Sequence, residues 1–144
     1  ESIKTEGVFI ENDTLSMINE RLNLINEVII QYSTGSSYIS KKVEAKLEEI
    51  ASDKDKFLYS TATLISCSHP GFVSHLKEKG LTEWEIGFCC LYILGLSGKE
   101  VKNYMDKGST YNINSKIRQK LGLSSTDMNL DKYLKSLIAS TAQN

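Results

Sequence analysis

The stretch from Leu81 to Leu123 constrains this chain most, because it marks where helices must begin and end. Thr82 is followed by Glu85 and Ser97 by Glu100, each at the spacing of a capping box. There the hydroxyl accepts from a backbone amide of the first turn, and the carboxylate accepts from the amide of the capping residue. Gly95 follows the apolar run Ile86 to Leu94, and Gly122 follows Leu121. Glycine takes the left-handed geometry that ends a helix without a Cβ clash. Three short helices in succession are expected, in the order of a helix-turn-helix, the third running over 109–120.

The remainder reads as helix too. Apolar residues recur with a period near 3.6, no apolar/polar alternation is bounded by Asn-Gly or Asp-Gly turns, and Pro70 is the one proline in 144 residues. The expected fold class is all-α: an N-terminal long helix or helical hairpin, then a bundle containing the helix-turn-helix. Leu15, Ile18, Leu22, Ile25, Ile29 and Tyr32 are spaced 3, 4, 3, 4, 3, which is a heptad seam. Met17, Leu24 and Val28 widen the stripe, so this helix either pairs between chains or packs on its own chain. Asn12 or Asp13 is expected to cap it. Ser33 to Ser37 reads as a turn, and Ile39, Val43, Leu47 and Ile50 mark a second amphipathic helix, folded back on the first or continuing its direction. Asp53 precedes a third helix, with Phe57, Leu58, Leu64 and Ile65 expected inside. Pro70 breaks the chain and starts a short helix that ends at Gly80, with Phe72, Val73 and Leu76 buried. After the polar stretch Ser124 to Asp127, a last helix carries Leu130, Tyr133, Leu134, Leu137 and Ile138 on one face, before a frayed tail from Ser140 to Asn144.

Charge is uneven along the chain. Residues 1–80 hold 9 basic and 12 acidic side chains, whereas 81–123 hold 6 and 4. A small basic surplus in the helix-turn-helix region permits nucleic-acid binding without demanding it. The expected docking face of the third helix is Ile113, Ile117 and Leu121. Asn112, Asn114, Ser115, Lys116, Arg118, Gln119 and Lys120 lie elsewhere on it. Asparagine and glutamine can pair bidentately with adenine, arginine with guanine, and serine or lysine with phosphate. A plain solvated helix surface has the same composition, so the residue types alone do not separate the two.

Catalytic and metal chemistry find little footing. Cys67, Cys89 and Cys90 are odd in number, the last two adjacent within an apolar helix, and neither they nor His69 and His75 have zinc-ligand spacing. Core packing is the better account of the cysteines. Glu83 and Glu85 have a helix-dipole explanation, and no nucleophile triad or phosphate-binding glycine loop is present. No enzyme activity, cofactor, metal or small-molecule substrate is expected. The absence of an 18-residue apolar run and of a disulfide pattern favours the cytoplasm. The start at Glu1 without methionine suggests a portion of something longer.

The block L-T-E-W-E-I-G-F-C-C-L-Y-I-L-G-L-S-G-K-E-V, Leu81 to Val101, with K-L-G at Lys120 to Gly122, resembles the LuxR-type helix-turn-helix of bacterial transcriptional regulators. It is most similar to a group in which a sensor or tetratricopeptide region, a membrane span and a coiled coil precede that domain; S-H-P-G-F-V-S-H-L-K-E-K-G, Ser68 to Gly80, is similar to the group's lead-in. The likeness covers about 69–138, with 13–67 matched only as a helical linker. It implies a cytoplasmic winged-helix-like domain over 68–144 that binds promoter double-stranded DNA as a homodimer, with 1–67 as the dimerisation and linker segment and a possible membrane-anchored sensor region upstream. By position, Leu81, Leu91, Gly95, Val101 and Leu121 would be framework. Ser97, Lys99, Ser109, Thr110, Tyr111, Asn112, Asn114, Ser115, Lys116, Arg118, Gln119 and Lys120 would face DNA. The chain departs from the pattern in a shorter segment between Val101 and Lys120, in Tyr111-Asn112 where Thr-Val is common, and in Lys102 for a small alanine. The rival expectation is a protein-docking or oligomerisation module that keeps the shape without binding DNA.

Overall fold

The computed structural model describes residues 3–5, 8–35, 39–105, 109–124, 126 and 128–142, with side chains from residue 11 onward. The expected turn residues Ser36 and Ser37, the segment 106–108, Ser125, Asp127, and the tail residues Gln143 and Asn144 lie outside them. Eight helices run through the described residues, and the fold is all-α apart from one short strand pair at the start. There β1 (Ile3–Thr5) pairs antiparallel with β2 (Val8–Ile10), Lys4 opposite Phe9, a pairing that sequence reasoning did not anticipate. Three-residue strands carry too little alternation to read. No helix among the described residues is long and apolar enough to cross a membrane.

The chain divides into two compact units, 1–57 and 58–144. This division falls earlier than the expected domain boundary after residue 67. The reason lies in α3 (Lys54–Ser68), whose Leu58, Thr61 and Ala62 are buried in the second unit's core.

In the first unit, α1 (Asn12–Ser33) starts from Glu11, which supplies no side-chain cap, so Asn12 and Asp13 sit inside the helix and neither caps it. Gly35, at φ +83°, follows its end. Ser40 caps α2 (Lys41–Ala51) by accepting from the Val43 amide, and Ile39 precedes that helix as an exposed residue, contrary to its expected place in the apolar stripe. Gln31 bonds Ser40 through both its amide groups, and Glu27 receives Lys46 at 3.1 Å. These contacts advance in opposite directions along α1 and α2, with Leu24 and Val43 buried.

In the second unit, Pro70 occupies the first turn of α4 (Pro70–Glu78), and Gly80 follows at φ +90°. Phe72, Val73 and Leu76 of α4 are buried as expected. The central element is α5 (Glu83–Ile93), buried from Glu85 to Tyr92 and packed on α4, on α6 (Gly98–Met105) and on α8 (Leu130–Thr141). Gly87 lets α3 come into backbone contact. A Cβ built there would lie 2.6 Å from the Leu58 carbonyl carbon and closer still to its oxygen. That crossing decides which side of α3 is buried. Its inner face is Leu58 with the small Thr61 and Ala62, while Phe57, Leu64 and Ile65 are only half-buried. Close helix approach selects small side chains, which a search for large apolar ones passes over. Helix α8 buries Leu130 and Leu134 and half-buries Tyr133, Leu137 and Ile138.

Candidate nucleic-acid interface

Both expected capping boxes are formed. Thr82 and Glu85 exchange hydrogen bonds of 2.9 and 3.1 Å at the start of α5. Ser97 and Glu100 do the same at 2.9 and 3.2 Å at the start of α6. The glycine stops are formed too. Gly95 at φ +106° and Gly122 at φ +75° each sit where the following amide, of Leu96 or Leu123, reaches back to a carbonyl of the last turn. The sequence thereby fixes where α6 starts and where α7 (Thr110–Lys120) stops.

On α7, Thr110 and Ile117 are buried and Leu121 follows them into the core, so the docking face expected at Ile117 and Leu121 is present, with Ile113 half-buried. Four of the expected DNA-facing residues are placed otherwise. Thr110 is buried beneath the helix. Asn114 turns inward, where its Oδ1 accepts from the Tyr92 hydroxyl at 3.2 Å. Burial raises the Tyr92 pKa, only partly offset by that bond. The Arg118 guanidinium donates to the Met128 carbonyl at 2.9 Å and to the Ser124 carbonyl, tying α7 to the segment before α8. Lys120 Nζ lies 2.6 Å from Glu85 Oε1.

That last pair gives Glu85 two tasks, as box partner of Thr82 and as counterion of Lys120. Burial pushes its carboxyl pKa up, but the hydrogen bond and charge of Lys120, with the Thr82 amide and hydroxyl, more than reverse this and hold it below the ordinary 4.5. The signal that was missed is Glu85 itself. A capping-box carboxylate with apolar neighbours on the next turn, Ile86 and Phe88 to Leu91, is carried into the core, and buried charge needs a partner.

What remains outward on α7 is Tyr111, Asn112, Ser115, Lys116 and Gln119, all exposed, Tyr111 at 80%. They fall at i, i+1, i+4, i+5 and i+8, within about 140° of one helix face. No residue of α7 is acidic. Ser109 is exposed ahead of α7 and gives it no side-chain cap hydrogen bond. From α6, Lys99, Lys102 and Asn103 are exposed, with Glu100 beside them and its charge tied to the Ser97 amide. Ser97 is exposed and engaged as the cap of α6.

Cys89 and Cys90 are fully buried, and burial holds their thiols protonated, Cys90 with a pKa raised to about 12. Among the described residues, no group of three His, Cys, Asp or Glu side chains could hold a metal ion. Compared with models of protein families, with curated proteins and with solved structures, the chain matches none.

Proposed function

We propose that the chain is a DNA-binding protein in which α6 and α7 act as a helix-turn-helix and α7 enters the major groove. One observation carries the reading. Once Thr110, Asn114, Arg118 and Lys120 are assigned to internal contacts, the outward residues of α7 still form one continuous polar stripe without a carboxylate. In this reading Asn112 and Gln119 read base edges. Ser115 and Lys116, with Lys99 and Lys102 of α6, hold phosphates. The reading extends to a transcriptional regulator of LuxR type acting in the bacterial cytoplasm, by binding rather than catalysis.

A second reading, docking of a protein on the same helix, is favoured by the exposed ring of Tyr111 and by the internal neutralisation of Lys120. Salt separates the two. The full chain is titrated with bacterial genomic DNA fragments at two salt concentrations, and any enriched sequence is recovered. DNA binding predicts saturable binding that weakens steeply with salt and enriches a defined site. No binding at low salt by the folded chain moves the assignment to protein docking.

A further inference from the structure

The heptad seam of α1 lies on the side away from α2. The contacts to α2 come from Leu24, Glu27 and Gln31. The seam Leu15-Ile18-Leu22-Ile25-Ile29-Tyr32 points roughly 160° from that direction at about 100° per residue. Leu22, Ile25 and Ile29 are each more than half exposed, and Tyr32 is 83% exposed. A helix that had spent its stripe on its own chain would show the reverse. Here Leu24 packs inward with Met17 and Val28 half-buried beside it, and the 3-4 repeat, half-buried at Leu15 and Ile18, is left outside from Leu22 to Tyr32.

We infer that this seam is a self-association surface whose occupant is the same helix of a second copy. A 3-4 repeat keeps facing its partner along its length only if the partner has the same repeat, and α1 is such a partner. The flanks permit it. Asn19, Asn26 and Ser33 border one side, Thr14 and Arg21 the other, so no carboxylate meets its copy. Arg21 lies 4.7 Å over the Phe57 ring, and Glu27 is turned to Lys42 and Lys46 of α2. The seam runs about 26 Å along the helix. Covering it in both copies removes on the order of 1,000 Å² from water, at the lower edge of a specific interface. An interface of this size fits reversible association, and a dissociation constant on the order of micromolar is the value to bracket. This inference stands apart from the DNA reading, since it uses only the first unit.

Sedimentation equilibrium of the full chain, over roughly two decades of concentration around that value, tests it. The wild type is expected to associate reversibly. Leu22→Glu with Ile29→Glu should weaken association at least about tenfold with unchanged helical circular dichroism, because both side chains point away from Leu24 and Val43. A wild type that stays monomeric throughout, or a variant that associates as well as wild type, overturns the proposal. Disulfide trapping keeps it testable if that variant misfolds. With Cys67→Ser as background, Ile18→Cys and Ile29→Cys chains are mixed and oxidised. Coupling of Ile18→Cys to itself marks parallel seams, and coupling to Ile29→Cys marks antiparallel ones; both support the pairing. No coupling above that of an exposed Lys41→Cys control overturns it.

Discussion

Gly87 and Glu85 lie two positions apart on α5 and fail in different ways when changed. Gly87→Ala places a methyl against Leu58 backbone, which cannot yield as a flexible side-chain end would. The expected loss is about 1–3 kcal/mol or more, seen as a lower urea midpoint. Glu85→Gln removes the counterion of Lys120. Because the folded pKa of Glu85 lies below 4.5, its contribution is present above that pH and is lost as pH falls through the folded value. The stability gap between wild type and Glu85→Gln, measured by urea unfolding across pH, should therefore be widest near neutrality and close under acid. A gap that stayed constant down to the acid limit would mean that the pair contributes nothing specific to the ionised form.

At the scale of the element, α7 makes two different kinds of lysine out of residues four apart. Lys116 is exposed, whereas Lys120 is held by Glu85. Lys116→Ala should weaken DNA binding on every sequence with no change in melting temperature. Lys120→Ala should leave Glu85 with its Thr82 hydrogen bonds but without its counterion and cost about 1–3 kcal/mol of stability. Calorimetry alongside a DNA titration separates the two, and the opposite pattern would invert the assigned faces of α7. The caps are testable in the same way. Ser97→Ala should cost about 1 kcal/mol through the start of α6, with no effect on α5, whose box is independent.

At the scale of the whole molecule, the formal charge of −1 conceals a local balance that salt can read. Lys99, Lys102 and Lys116 are the exposed cations of α6 and α7 among the described residues. If each neutralises one phosphate, the logarithm of DNA affinity should fall with the logarithm of salt at a slope of about −3 per bound copy, and roughly twice that if two copies bind together. A slope near zero would place the affinity in apolar contacts and favour protein docking. If DNA binds, the slope measured for the Leu22→Glu, Ile29→Glu chain then reports whether the proposed pairing of the first unit reaches that step.

The local chemistry of this chain marked several of its helix ends by itself. The boxes at Thr82 and Ser97, the left-handed glycines at 95 and 122, and the break at Pro70 each involve atoms only a few residues apart, so they were legible without a fold. The heptad spacing of α1 was legible for the same reason, though not which of its faces would stay exposed. The tertiary structure decided every question of which side of a helix meets what. It turned Asn114 to Tyr92, gave Lys120 to Glu85 and Arg118 to the carbonyls before α8, and buried Thr61 and Ala62 where α3 crosses Gly87. Periodicity tells that a helix has an apolar face. It does not tell which polar residues at that face's edge will be drawn inward, because the partners that satisfy them come from segments far away in the chain and meet only when the core closes.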